Sequence, residues 1–368
     1  MKLRFASKIM APTPAPAFLR PKVVPPIAII GAGGIVRDAH LPAYRLAEFP
    51  VAGLFDLDRA KAENLARTFG VRRVWATLEE AVRTAPAGAV FDVAVPPGAL
   101  PGIVAALPEG AAALLQKPLG ENLDQARHLA ALCAQRRLRA AVNFQLRFAP
   151  CIVAARRLIE AGAIGAVHDL EVRVTVDTPW HLWRFLEASP RVEILYHSIH
   201  YIDLIRSFFG EPRGVLARTL RDPRSARLAS TRTALLLDYG EARRATVTAN
   251  HGHEFGPRHQ ESYVKWEGER GAIVARLGAL LNYPAGEPDI LEVCALGPAG
   301  EPPAWRTEPL DGNWFPHGFI GSMASVMRFA GGESEALPTA VIDAVRTMAV
   351  VEAAYASAAG AATPIPSP

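Results

Sequence analysis

Ile27-Ala28-Ile29-Ile30 is a short, largely β-branched run, after which glycines take over at Gly31, Gly33 and Gly34 and the apolar positions lengthen to helical spacing through Leu41, Tyr44 and Phe49. The pattern predicts strand, glycine turn, helix. A second run, Val51 to Phe55, stops at Asp56 and leads into a helix with Ala62, Leu65, Ala66 and Phe69 on its apolar side, which completes a βαβ unit. The alternation continues with strand Ala89 to Val95, a helix to about Leu107, strand Ala111 to Leu115, helix Leu123 to Arg136 and strand Ala140 to Phe144. Strands alternating with helices predict an α/β fold, a doubly wound parallel sheet covered on both faces.

Beyond a helix over Pro150 to Ala161 the pattern changes. Val167 to Val176, Val215 to Leu220, Thr231 to Tyr239, Ala245 to Asn250, Tyr263 to Glu267 and Ala272 to Arg276 read as strands with few helices between them. Alternation such as Leu170-Glu171-Val172-Arg173-Val174 suits an antiparallel sheet with one buried and one more polar face, so a second, α+β domain is expected. An amphipathic helix from about Ala340 to Ala359, carrying Val341, Val345, Met348, Val351 and Tyr355, closes the chain. The expected division is a proline-rich flexible arm over 1–25, a nucleotide-binding domain over 26–146, a substrate and oligomerisation domain over 147–340, and a helix and tail over 341–368 that pack back on the body.

Composition narrows the function classes. Hydrophobic residues at 50% and charged residues at 21% over 368 residues describe a chain able to bury a sizeable core. Forty Lys+Arg against 36 Asp+Glu, without a basic run, leave no nucleic-acid footprint. The least polar stretch, Val93 to Leu107, is interrupted by prolines and glycines and falls short of the roughly 20 residues of a membrane span, so no membrane partner is expected. Three scattered cysteines (Cys133, Cys151, Cys294) make no disulfide framework or zinc knuckle, which fits a cytoplasmic protein.

The glycine turn is the first candidate for chemistry. Gly31 permits the tight exit from the strand, Gly33 lets a pyrophosphate approach the backbone, and the helix start beyond offers free N–H groups to phosphates. Asp56 stands at the end of the second strand, where a carboxylate accepts hydrogen bonds from ribose hydroxyls and repels a 2′-phosphate. NAD is therefore expected over NADP. Val36 occupies the third glycine position. Further on, Glu193, Tyr196 and His200 are spaced to share one face of a helix, with Leu195, Ile199 and Ile202 on another. His197, His200, His251, His253 and His259 have no accompanying carboxylate or cysteine spacing for a metal, and none is expected. Trp180, His181, Trp183 and Arg184 lie in a loop whose rings either stack on a sugar or anchor the loop itself.

Taken together, Ile29-Ile30-Gly31-Ala32-Gly33-Gly34-Ile35-Val36, Val95-Pro96-Pro97, Gln116-Lys117-Pro118-Leu119, His197-Ser198-Ile199-His200-Tyr201-Ile202-Asp203-Leu204 and the closing Ala353-Ala354-Tyr355-Ala356-Ser357 resemble the Gfo/Idh/MocA oxidoreductases. The resemblance implies an N-terminal Rossmann domain, a C-terminal domain with a large, mostly antiparallel sheet, a homodimer or homotetramer, and hydride chemistry on a sugar, polyol or related alcohol. It puts Gly31, Gly33, Gly34, Ile35, Val36, Asp56, Pro96, Gln116 and Lys117 around the cofactor, and Lys117, Trp183, Glu193, Tyr196, His197 and His200 around the substrate. Lys117, His200 and Tyr196 are the implied catalytic group, with Lys117 stabilising the developing alkoxide and His200 taking the proton. Two positions depart from the family pattern. Gln116 stands where Glu-Lys-Pro is usual, and Tyr196 fills a slot that is often aspartate, with Glu193 one turn earlier as a substitute carboxylate. Three functions remain open on this reading: a dehydrogenase, an enzyme that keeps its NAD through a closed redox cycle, and a non-catalytic dinucleotide-binding regulator.

Overall fold

The computed structural model describes residues 18–283, 285–297 and 302–366. Its first sheet is parallel, with strands β1 (Ile27–Ile30), β2 (Val51–Phe55), β3 (Val90–Val93), β4 (Ala112–Leu115) and β5 (Arg139–Val142) in the order β2-β1-β3-β4-β5. Helices α1 (Leu41–Leu46), α2 (Arg59–Phe69), α3 (Leu78–Thr84), α4 (Leu100–Ala106) and α5 (Leu123–Gln135) connect them. β1, β3 and β4 are buried at every position, because helices cover both faces and leave no polar side for alternation. Asp92 in β3 is the one polar residue among these positions. Its carboxylate is buried beside Tyr44 and His40, whose hydroxyl and Nδ1 lie 2.8 and 2.7 Å from Oδ2, as a buried polar group requires.

After α6 (Pro150–Glu160) come β6 (Val167–Thr175), α7 (Ile199–Phe209), β7 (Gly214–Leu220), β8 (Arg232–Asp238), β9 (Arg244–Asn250), β10 (Glu261–Gly268), β11 (Gly271–Arg276), β12 (Ile290–Ala295) and β13 (Arg306–Glu308). The eight strands form one sheet, β13-β12-β11-β10-β6-β9-β8-β7, antiparallel except for the β6–β9 pair. β8 alternates buried and exposed along its length, as a sheet with one covered face should.

Two helices follow, α8 (Trp314–Ala330) and α9 (Val341–Ala359). α9 matches the predicted C-terminal helix and buries Val341, Ala344, Met348, Val351 and Ala354. The hydrophobic pattern gave no sign of α8, nor of α3, β12 and β13. Pro316, Gly318 and Gly321 interrupt the apolar period of α8, yet the glycines are needed there. A Cβ on Gly318 would lie 2.7 Å from the Gln145 carbonyl, and one on Gly321 would lie 2.7 Å from Cβ of Phe148, so α8 sits directly on the turn after β5. Its Phe319, Ile320, Met323 and Met327 join the core of the first sheet with Ile27, Ile29 and Leu54. Part of the stretch expected to serve the second domain thus completes the first. The expected arm differs too. Residues 1–17 lie outside the described residues, whereas Phe18 and Val24 pack on the first core and the Lys22 N–H donates to Glu333.

Candidate active site

β1 ends at Gly31, whose φ of 108° and packing against Ala94, with a would-be Cβ 2.3 Å from that carbonyl oxygen, admit only glycine. A Cβ on Gly33 would meet nothing within 4 Å, so the open space lies above the turn, where a pyrophosphate fits. Asp56 faces the same turn. Its Oδ2 accepts the Ala32 N–H at 2.6 Å and its Oδ1 the Asp58 N–H at 2.8 Å, which leaves lone pairs for ribose hydroxyls. The residues present therefore fit a dinucleotide, with Gly33, Gly34, Ile35 and Asp56 around it and Pro96 exposed beside the turn. Val36 does not belong to that set. Its side chain is wholly buried in the first core, and its N–H donates to the Gly33 carbonyl.

Lys117 follows β4, at the same edge of the sheet. Its Nζ donates to the Tyr196 carbonyl at 2.8 Å, and burial lowers its pKa to about 8. The Gln116 side-chain oxygen accepts the Lys117 N–H at 2.9 Å, so this amide steadies the lysine backbone and brings no negative charge.

The second cluster is built differently from the expected helix face. Ile194–Ser198 form a π-helical turn before α7, and the wider turn breaks the 3.6-residue spacing that would align Glu193, Tyr196 and His200. Tyr196 meets Lys117 through its carbonyl, while its ring lies edge-on to Phe185 at 5.8 Å. Burial raises its phenol pKa against the opposing effect of Ser189, so Lys117 does not turn it into a base. Glu193 is fully buried, accepts the Ser198 hydroxyl at 2.8 Å and approaches His251 Nε2 at 3.4 Å. It stands behind the site and cannot touch substrate directly.

His200 is brought to Lys117 as expected. Burial first and the lysine charge second push its pKa well below the usual imidazole value. Its ring lies edge-on to Phe144 and Trp314, and its Nδ1 is buried without a hydrogen-bond partner. His197 is driven down by burial and then by His251, Lys117 and His200. Trp183 packs on Tyr283 at 5.6 Å, and Tyr283 in turn reaches Asp38 next to the glycine turn at 3.4 Å, which makes this tryptophan an anchor of its loop. Trp314 was not among the expected site residues, and His251 was expected only as one of several histidines lining a polar pocket. His251 carried a signal, alternation off the end of β9; Trp314 lies at the start of the unpredicted α8. Among the described residues no group of three or more His, Cys, Asp or Glu is placed to hold a metal ion, and no helix is long and apolar enough to cross a membrane.

Comparison with known proteins agrees with this architecture. Residues 26–144 match the oxidoreductase family with NAD-binding Rossmann fold, and residues 152–274 match the GFO/IDH/MocA C-terminal domain. Over 345 residues the chain is 25% identical to D-apiose dehydrogenase of Paraburkholderia graminis, covering 90% of this chain and 87% of that protein. An oxidoreductase from Agrobacterium radiobacter, solved in complex with NAD+, L-tartaric acid and magnesium, superposes with a TM-score of 0.74 at 21% identity over 92% of this chain and 97% of that one. Levoglucosan dehydrogenase, in complex with NADH and levoglucosan, gives 0.74 at 19% identity over 91% and 97%. These two likenesses show a shared fold.

Proposed function

Because the chain belongs to the Gfo/Idh/MocA family of oxidoreductases, we propose that it oxidises a hydroxyl of a sugar, polyol or sugar derivative, with NAD preferred over NADP. The observation that carries this reading is Lys117, an amine with a pKa of about 8 held on the Tyr196 carbonyl beside His200, at the sheet edge where the glycine turn lies. NAD, when bound, supplies the hydride acceptor. The structure argues for exchanging the two roles expected from sequence. Burial and the lysine charge hold His200 well below the ordinary imidazole value, which disfavours it as the proton acceptor, whereas a lysine near 8 is matched to neutral or mildly alkaline conditions. Neutral Lys117 accepts the hydroxyl proton as hydride leaves carbon, and His200 holds the hydroxyl in line. Relatives named as sugar dehydrogenases support the substrate class.

Several further features are part of the proposal. Residues 26–146, completed by α8, carry the cofactor, and the rest of 147–340 the substrate and oligomer contacts. The uncovered face of the second sheet, where Leu216 pairs with Leu236 and both are exposed, is assigned to a homodimer or homotetramer. Three buried free cysteines suit the cytoplasm.

The test is absorbance at 340 nm with NAD and a panel of aldoses, polyols, uronates and deoxy sugars. Growth with one member establishes the reading. Tightly bound NAD without net reduction of any member would replace it with a closed redox cycle. Asp56→Ala is expected to lower the NAD-to-NADP preference about tenfold or more, the loss of one charged hydrogen-bonding partner together with its repulsion of the 2′-phosphate; an unchanged ratio would remove Asp56 from cofactor selection.

A further inference from the structure

Lys117, His197 and His200 are three groups able to carry positive charge, gathered at one site with no carboxylate among them. Behind them lies Glu193, fully buried, with Oε1 bonded to Ser198 and Oε2 without a partner. A carboxylate placed so is costly to bury, which calls for a use. His251, at the end of β9, stands between Glu193 and the site. Its Nε2 faces Glu193 Oε1 at 3.4 Å, outside hydrogen-bond geometry and so buried without a hydrogen-bond partner, its Nδ1 is 2.9 Å from the Thr178 hydroxyl, and its ring lies 4.3 Å from that of His197. Trp180 closes the stack edge-on to both imidazoles, at 5.1 Å from His197 and 5.8 Å from His251.

We propose that Glu193 and His251 are a positioning pair: the carboxylate fixes the tautomer and orientation of His251, and His251 in turn holds His197 against the substrate. This rests on the dehydrogenase reading above and adds residues to it. The tautomer proposed is the one the carboxylate favours: 3.4 Å from Nε2 but outside hydrogen-bond geometry, it attracts a proton on Nε2 electrostatically, and Nδ1 then accepts the Thr178 hydroxyl. Thr178 lies between β6 and the Trp180 loop, Glu193 leads into the π-helical turn, and His251 comes from β9, so three separate segments converge on one imidazole. The ionisable groups facing His197 are Lys117, His200 and His251; those facing Glu193 are His251, Tyr201 and Tyr355.

The experiment uses the full-length protein with saturating NAD and no substrate, labelled with 15N at histidine. Wild type is expected to show the Nε2–H form of His251. Glu193→Gln, whose amide can donate to Nε2, is expected to switch it to Nδ1–H and move the His197 ring resonances, with NAD affinity unchanged. Glu193→Asp retains the carboxylate and is expected to restore the wild-type tautomer. On the substrate found by the panel, Glu193→Gln lowers kcat about tenfold or more, the scale of a misplaced positioning group, with Glu193→Asp between it and wild type. A His251 tautomer indifferent to Glu193→Gln, unmoved His197 resonances, or full turnover in the amide variant would overturn the proposal. If no panel member is oxidised by wild type, the dehydrogenase reading fails, while the tautomer measurement still decides whether the pair exists.

Discussion

Lys117→Ala is expected to lower kcat for alcohol oxidation about a thousandfold, the range for removing a positioned proton acceptor, while the dissociation constant for NAD changes less than about threefold. The asymmetry follows from where the amine points. Nζ reaches across to the Tyr196 carbonyl, whereas a pyrophosphate would be held by the backbone from Gly31 to Ile35. Burial lowers the pKa of Lys117 to about 8, so the neutral amine that accepts a proton is scarce below that value. Oxidative kcat/KM rises through a limb near pH 8 and then levels. Reduction needs the ammonium form and falls through the same limb. Gln116→Glu places a negative charge at the Lys117 backbone N–H, on the same residue as the amine, and is expected to move both limbs upward. Stopped-flow absorbance at 340 nm in both directions measures each quantity. An oxidation rate that falls above pH 8 would return Lys117 to the role of a permanent cation stabilising an alkoxide.

The parts of this site legible in the amino-acid sequence are those whose geometry is local. The glycine turn and Asp56 are adjacent parts of one βαβ unit, and the chemistry that makes Gly31 obligatory is expressed within a few residues of chain. The buried strands of the first sheet were equally plain, since continuous runs such as Ile27-Ala28-Ile29-Ile30 need no partner to be recognised. Glu193, Tyr196 and His200 were misaligned for a specific reason. A regular helix places residues i, i+3 and i+7 together, and the π-helical turn at Ile194–Ser198 takes that alignment away without any proline or glycine to announce it. The contribution of His251 depends on a strand more than 50 residues further along, and Trp314 depends on α8, whose glycines serve close packing against the turn at Gln145–Phe148 and so erase the period that would reveal the helix.

Asp203→Ala is expected to destabilise the fold by about 3–5 kcal/mol, the range for stranding a buried charge by removing its partner. Asp203 is 1% exposed and accepts two hydrogen bonds from Arg147, at 2.6 Å each, and a third from Thr347 at 3.0 Å. Arg147 also pairs with Asp343 at 2.8 Å, and Arg206 donates to Thr347 and approaches Asp343 at 3.1 Å. One network therefore joins the turn after β5, the middle of α7 and the first turns of α9. Without Asp203, Arg147 keeps a single carboxylate and Arg206 loses its nearest buried counter-charge. By contrast, Arg59→Ala on the exposed pair with Glu63 should leave the unfolding midpoint essentially unchanged, because solvent and salt screen such a pair. The same helix links stability to chemistry, because His200 lies one turn before Asp203 on α7. Loosening the network shifts the imidazole relative to Lys117, so the variant should lose turnover at temperatures where it is still folded. Urea unfolding followed by circular dichroism, with and without NAD, measures the first effect, and kcat well below the unfolding transition measures the second. A loss below about 1 kcal/mol would mean that α9 is held by its apolar face alone, through Ala344, Met348 and Val351, and that the ions merely fill the space between helices.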